Sequence, residues 1–343
     1  MEERLSDRIL EYLLPARGRE VSLRDIRAYL KIEAGSNDDK NLRNRMSTTM
    51  VTNKVVKPSG RKDGVYKVLS PITDITKVRN GNKEPLDFRW PRAYSKDGNG
   101  EWEVVSMFGL EDLVEVFAGD LILIMGRTNF GKTTLVVNIL AENIALMDSI
   151  LMGSEYTAND GNISPKFERR MRRMAWAELI NEDGSLNFKL RPVDVDYEDH
   201  IEPDTLNAID WISLPGEYYL IDRVIKTIKD GVGEDGIAVA VIQKNKDAEF
   251  GEGGERAERY ADVVLKIDSF GEESMLTVGK VKSKKKSVVG RMWAFDIVDY
   301  GANFFNIREI VKCTGCWGKG YKRSGQNYIK CDTCNGKKFI SKN

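Results

Sequence analysis

One nine-residue stretch constrains this chain more than any other. Gly126-Arg127-Thr128-Asn129-Phe130-Gly131-Lys132-Thr133-Thr134 fits the pattern G-x-x-x-x-G-K-[ST]. The apolar run Leu121-Ile122-Leu123-Ile124-Met125 precedes it and reads as a buried strand. Leu135-Val136-Val137-Asn138-Ile139-Leu140-Ala141 follows and reads as a helix. In that setting Gly126 and Gly131 let the backbone aim its N–H groups at a phosphate, and the helix N-terminus adds a favourable dipole. Lys132 is placed to reach the β- and γ-phosphates, and the Thr133 hydroxyl to ligate Mg²⁺. The whole loop, Gly126 to Thr134, is thus the candidate cradle for ATP. A chance glycine turn is the alternative.

Charge gives no direction of its own. Lys+Arg and Asp+Glu both number 53, so any case for nucleic acid rests on local patches. No run of eighteen apolar residues suggests a membrane span. The start, MEERLSDRIL, is acidic and amphipathic, unlike a signal peptide, and a cytoplasmic location is expected. All four cysteines, Cys313, Cys316, Cys331 and Cys334, lie in the last 31 residues. Two C-x-x-C pairs 14 residues apart predict a tetrathiolate Zn²⁺ site; two disulfides are the alternative. The lone histidine, His200, sits in an acidic stretch and reads as a surface residue.

The chain divides into four parts by pattern. Residues 1–69 predict three helices and a hairpin with a basic tip. Ser22 and Asp25 suit a capping box for a helix over 23–30, and a third helix over 38–51 carries Lys40, Arg43 and Arg45. This order resembles a winged helix-turn-helix, which would contact DNA or dock onto another protein. Residues 70–104 are punctuated by Asn, Gly and Pro and read as a linker that can carry short pieces of structure. Residues 105–310 alternate strand-like and helix-like segments, predicting an α/β core with a mainly parallel sheet. Its strands are expected at 120–125, 149–153, 187–193, 205–211 and 237–242, with an antiparallel extension at 263–267, 275–281 and 291–298. Residues 311–343 form the cysteine module, a small zinc ribbon.

Hydrolysis at such a loop needs a carboxylate near the metal and a group to activate water. Asp210 ends the run from Thr205 and suits Mg²⁺ held through water. Glu155 follows the run Ser149 to Ser154 and suits a general base.

The order of segments resembles the RecA-like core of DnaB-type replicative helicases over about three-fifths of the chain, roughly 105–298. Phe108-Gly109-Leu110 through Ala118-Gly119-Asp120 is similar to the family's lead-in, and Gly126–Thr134 to its phosphate loop. Ser154-Glu155 resembles the segment bearing the catalytic base, and Asp210-Trp211-Ile212-Ser213-Leu214 the metal-binding segment. Val241-Ile242-Gln243-Lys244-Asn245-Lys246 resembles the segment whose glutamine senses the γ-phosphate. Gly254 through Ala261-Asp262-Val263-Val264 resembles the family's Ala-Asp-Val-Val region, and Lys280-Val281-Lys282 with Gly290 resembles the stretch that supplies positive charge to the neighbouring subunit's nucleotide. Lys282 stands where the family has arginine, and lysine lacks the planar fork. The resemblance implies a homo-hexamer with its sites between subunits, and leaves room for a primase or loader as partner. It also implies a phage-like origin, hence a host cytoplasm. The family's helical collar is absent. The cysteine segments Cys316-Trp317-Gly318-Lys319-Gly320 and Cys334-Asn335-Gly336-Lys337 resemble the C-x-x-C-x-G-x-G repeats of DnaJ-type zinc modules, with Lys338 at the final glycine.

Four segments suit contact with single-stranded DNA, and the N-terminal module adds duplex DNA as a target. They are the helix bearing Lys166, Arg169, Arg170, Arg172 and Arg173; the run Lys280, Lys282, Lys284, Lys285 and Lys286; the loop 244–260; and the basic, aromatic cysteine module. Each charge run has a solvated face as its alternative. A recombinase or recombination mediator, and an ATP-switched DNA-binding regulator, are the competing readings of the whole.

Overall fold

The computed structural model describes residues 4–60, 62–69, 83–158, 160–214, 218–244, 250–251, 253–325 and 327–342. Residues 70–82 of the expected linker, Arg61 of the hairpin tip, and residues 245–249 and 252 of the expected DNA loop lie outside them. The chain forms two units, Met1–Asn82 and Lys83–Asn343.

In the first unit, helices α1 (Leu5–Leu13), α2 (Leu23–Leu30) and α3 (Asn37–Arg45) accompany strands β1 (Glu20–Ser22), β2 (Val56–Pro58) and β3 (Val65–Val68). The sheet is antiparallel, in the order β1-β3-β2. The capping box at Ser22 and Asp25 forms as expected. The third helix is shorter than expected and runs on into a π-helical turn, Met46–Met50. Ile9, Ile26, Leu42 and Met46 are fully buried and tie the helices to one core. Arg43 is paired with Asp39, whose carboxylate also accepts from the Gly35 N–H and from Arg27.

The second unit opens with the hairpin β4 (Arg92–Lys96) and β5 (Trp102–Met107). Part of the segment expected as a linker with short pieces of structure is thus a hairpin. Leu86 N–H donates to Val116, and Asn143 is bonded both ways to the Arg89 backbone. Arg92 forks onto the buried Glu142, and Trp90 is 1% exposed in the main core. A segment with an aromatic anchor and a buried ion pair is part of the fold.

The rest follows as β6 (Leu121–Gly126), α4 (Lys132–Asn143), β7 (Ser149–Met152), α5 (Pro165–Arg173), β8 (Lys189–Arg191), β9 (Leu206–Ile212), α6 (Ile221–Gly231), β10 (Ile237–Gln243), α7 (Glu255–Glu258), β11 (Val263–Phe270), β12 (Glu273–Val281), β13 (Met292–Val298), β14 (Asn303–Lys312), β15 (Tyr321–Ser324), β16 (Asn327–Lys330) and β17 (Phe339–Ser341). Ten of these strands make one sheet, β17-β14-β13-β12-β11-β6-β10-β9-β7-β8. From β11 to β8 every pairing is parallel, and from β11 to β17 every pairing is antiparallel. Both faces of the parallel half are covered, which is why β6 and β10 are apolar throughout rather than alternating. Helix α4 is buried on nearly all sides, and α6 buries one stripe, Ile221, Val224, Ile225 and Ile228.

Strand β14 was not anticipated. It runs from the core directly into Cys313, and β17 returns from beyond Cys334 to pair with it. The cysteine module is therefore built into the edge of the main sheet, and the boundary expected at 310/311 falls inside a strand. No helix among the described residues is long and apolar enough to cross a membrane.

Candidate functional site

Parallel strands end at a common edge, where open α/β sheets place their ligands. Gln243 is level with Gly126, and Met152 with Ile209. The loop after β6 turns into α4 at Gly131, whose φ is +98°. That conformation favours glycine, and a Cβ there would lie 2.2 Å from Ile297 Cδ1 and so displace the end of that side chain.

The carboxyl edge encloses a cavity of about 750 Å³. From the loop it is lined by Thr128, Asn129, Gly131, Lys132, Thr133 and Thr134. Glu155 enters from the turn after β7, Asp210 from β9 and Gln243 from β10. Five side chains singled out separately in the sequence thus meet in one place. Gly126 ends β6, while Arg127 and Phe130 face elsewhere: Arg127 packs 5.0 Å from the Phe130 ring and lines a second cavity. Lys132 Nζ donates to the Arg127 carbonyl across the loop (2.8 Å).

Asp210 is the most closely held of these groups. Burial raises its pKa, and bonds from the Tyr156 hydroxyl and Thr133 pull it back down; nearby Glu155 raises it again. The Tyr156 O–H donates to Asp210 Oδ2 at 2.6 Å. Burial, then Asp210, drive the Tyr156 pKa well above its ordinary value, so the phenol stays a donor. Next to Asp210, Trp211 adopts φ +75°, where the register between β9 and β10 shifts. Such a conformation costs about 1–3 kcal/mol for a bulky residue. The Tyr197 hydroxyl holds the Trp211 carbonyl (3.0 Å). A desolvated carboxylate beside a threonine hydroxyl is a hard oxygen donor set, which fits Mg²⁺.

The other wall of the cavity carries no motif in the sequence. Arg170, Trp211, Ile297, Tyr300 and Gly301 also line the cavity. Asp299 and Tyr300 both have positive φ, 52° and 59°. Arg170 Nε donates to the Tyr300 carbonyl (3.1 Å), and the Tyr300 ring lies 5.6 Å from Arg169 and 4.9 Å from Arg173. Arg172 pairs with Glu168. The basic helix α5, read as a nucleic-acid face, therefore turns much of its charge toward this wall. An exposed aromatic ring with an apolar neighbour, Ile297, suits the flat face of a nucleobase. The only sequence sign was a Tyr-Gly turn after a strand.

Lys280 and Lys282 are not in this cavity. They lie at the far end of the sheet, since Val281 pairs with Val263 whereas Gly126 pairs with Ile267. Lys280 Nζ donates to the carbonyls of Glu258 and Arg259, and Lys282 pairs with Asp262 at 2.7 Å. Asp262 also holds Lys229 and accepts the Leu121 N–H.

Cys313, Cys316, Cys331 and Cys334 are all buried, with their sulfurs within 4.8 Å of one another. Cys313 to Cys331 is 3.9 Å and Cys316 to Cys334 is 3.6 Å. Four thiolates at Zn–S lengths of about 2.3 Å stand roughly 3.8 Å apart, so this cluster could hold a metal ion such as zinc. No disulfide joins them. His200 is exposed, as expected.

Compared with known proteins, the chain matches no family model and no curated protein.

Proposed function

We propose that this chain is an ATP-driven motor that moves along single-stranded DNA, built on a RecA-like core of the DnaB type and working as a ring in DNA replication. The observation that carries the proposal is the meeting of Lys132, Thr133, Asp210, Glu155 and Gln243 around one cavity at the carboxyl edge of the parallel strands. In this reading the loop N–H groups and Lys132 grip the phosphates of ATP. Thr133 and Asp210 would hold Mg²⁺, which would supply neutralisation of the triphosphate's charge. Glu155 orients and deprotonates the attacking water, and Gln243 reports the γ-phosphate to the loop that follows it. Tyr300 and Ile297 receive the base. Lys280 and Lys282 act on the neighbouring subunit's nucleotide, since they lie away from the chain's own loop. Their release from Asp262 and the 258–259 carbonyls is part of assembly. The cysteine cluster holds structural Zn²⁺.

The first unit, with three helices and the β2–β3 hairpin, is read as a winged helix-turn-helix that docks the motor on duplex DNA or on a partner protein. The test is unwinding of a forked DNA with ATP. Wild type separates the strands, and Lys132→Ala does not. Nucleotide-dependent assembly without any unwinding would favour a recombinase or mediator instead. Sequence-specific duplex binding controlled by ATP, without translocation, would favour a regulator.

A further inference from the structure

A second cavity, of about 710 Å³, lies beside the phosphate loop, between the carboxyl end of β11 and the cysteine module. Its charged lining is Arg127, Lys244, Lys330, Lys337 and Lys338 against Asp268 alone. Lys244 is 8% exposed and is neutralised by that aspartate. The other four cations make no ion pair among the described residues. Lys337 stands 6.0 Å over the Phe270 ring and near Glu273, which Arg308 already holds in a two-bond fork (2.6 and 2.8 Å). Among the described residues, Arg127, Lys330 and Lys338 thus have no acidic partner and Lys337 only shares Glu273 with Arg308, so the cleft carries an excess of positive charge that suits a polyanion.

The backbone of the cysteine module points the same way. Its two halves repeat the same angles: Trp317 and Asn335 have φ 52° and 48°, Gly318 and Gly336 have 78° and 77°. At the next matched position Gly320 has φ 83°, whereas Lys338 has 71°. The second half thus keeps a lysine in a conformation that the first half gives to glycine. A side chain there is strained, and such strain clusters at functional sites. Here the strained residue lines the cleft.

Two chain crossings connect this cleft with the nucleotide cavity. Arg127 lines the cleft and Thr128 the nucleotide cavity; Lys244 lines the cleft and Gln243 the nucleotide cavity.

We propose that this cleft binds the phosphate backbone of a single-stranded nucleic acid, and that the strand and the nucleotide are coupled through Arg127–Thr128 and Gln243–Lys244. The cations come from the loop, from the end of β16 and from beyond Cys334. The choice of a polynucleotide rests on the motor reading; the anion site itself does not.

The experiment uses the full chain and a fluorescent oligothymidylate titrated over a range of salt. Lys338→Gly removes the charge while easing the backbone, so misfolding does not explain its effect; Lys330→Gln is the second variant. Each is expected to weaken strand binding about three- to tenfold, and to lower the slope of log K against log salt by about 0.7. A non-hydrolysable ATP analogue is expected to change the wild-type strand affinity at least about fivefold. Unchanged affinity and slope in both variants would overturn the proposal. So would displacement of the strand by polyglutamate or inorganic phosphate as readily as by unlabelled oligonucleotide, which would assign the cleft to an acidic peptide or a small anion. Binding of a fluorescent ATP analogue, measured without the strand, separates the two claims. Its absence in wild type would remove the motor reading and the coupling, while the salt slopes would still decide the anion site.

Discussion

The phenol of Tyr156 donates a 2.6 Å hydrogen bond to the buried carboxylate of Asp210, so a residue one position after Glu155 braces the aspartate of the neighbouring strand. The ring is buried against Phe167 (4.4 Å) and fills the space over Gly153, where a Cβ would lie 2.8 Å from it. Tyr156→Phe removes a donor from a buried carboxylate, a change that costs about 1–3 kcal/mol. That bond lowers the Asp210 pKa, so its loss raises it. The acid limb of the ATPase pH profile should move to higher pH, and the Mg²⁺ requirement should rise. An unaltered profile would show that the bond is structural only.

Asp210 itself sets stability against function. A carboxylate whose folded pKa lies above its unfolded value stabilises the fold fully below the unfolded value, and loses that contribution as pH rises through the folded one. Burial puts Asp210 in this class. Without a divalent cation the protein should therefore lose stability as pH climbs from acid through the raised carboxylate range. Asp210→Asn should remove that slope, stabilise the metal-free protein at neutral pH by on the order of 1 kcal/mol, and abolish hydrolysis. Thermal melts at acid and neutral pH, with and without Mg²⁺, read all three.

The cysteine cluster is tied to the main sheet through β14 and β17. Cys331→Ser should abolish stoichiometric zinc and unpair β17, because metal binding supplies roughly 10–16 kcal/mol in comparable small sites. Elemental analysis reads the zinc, and hydrogen exchange at residues 339–341 reads the strand. Zinc retained in full by the variant would refute a four-thiolate site.

Action in trans has its own signature. Lys132→Ala and Lys282→Ala should each be inactive alone. Mixed together, they create interfaces that pair an intact phosphate loop with an intact Lys282, and part of the activity should return. No recovery on mixing, with assembly shown to occur, would place the role of Lys282 within its own chain, where Asp262 already holds it.

Much of the core was legible because buried strands leave unbroken apolar runs. Leu121–Met125 and Ile237–Ile242 sit on the two central strands, and the turn chemistry at Gly131 marks where the first becomes a helix. Asn207 interrupted the run before Asp210 yet is fully buried, because its amide is satisfied by the Glu202 and Thr205 backbone. Strand β14 was hidden by alternation of a different kind: Phe304, Ile307 and Ile310 face inward, while a left-handed Asn306 breaks the period. The segment from Lys83 to Met107 has no period at all. It is held by single anchors, Trp90, Arg92 and Asn143, that only the folded chain brings together. The Arg170–Tyr300 wall was illegible for the same reason, since its two halves lie 130 residues apart.

The central claim is that the cavity at Gly131–Thr134 grips a triphosphate that Glu155 helps to cut. Binding of radiolabelled ATP and its turnover, measured side by side on wild type, Lys132→Ala and Glu155→Gln, test it most directly. The account predicts binding and turnover in wild type, loss of both in Lys132→Ala, and in Glu155→Gln binding retained with turnover reduced by about 10²-fold or more. Wild-type protein that binds no ATP in any state of assembly, or Glu155→Gln turning over at the wild-type rate, would contradict it.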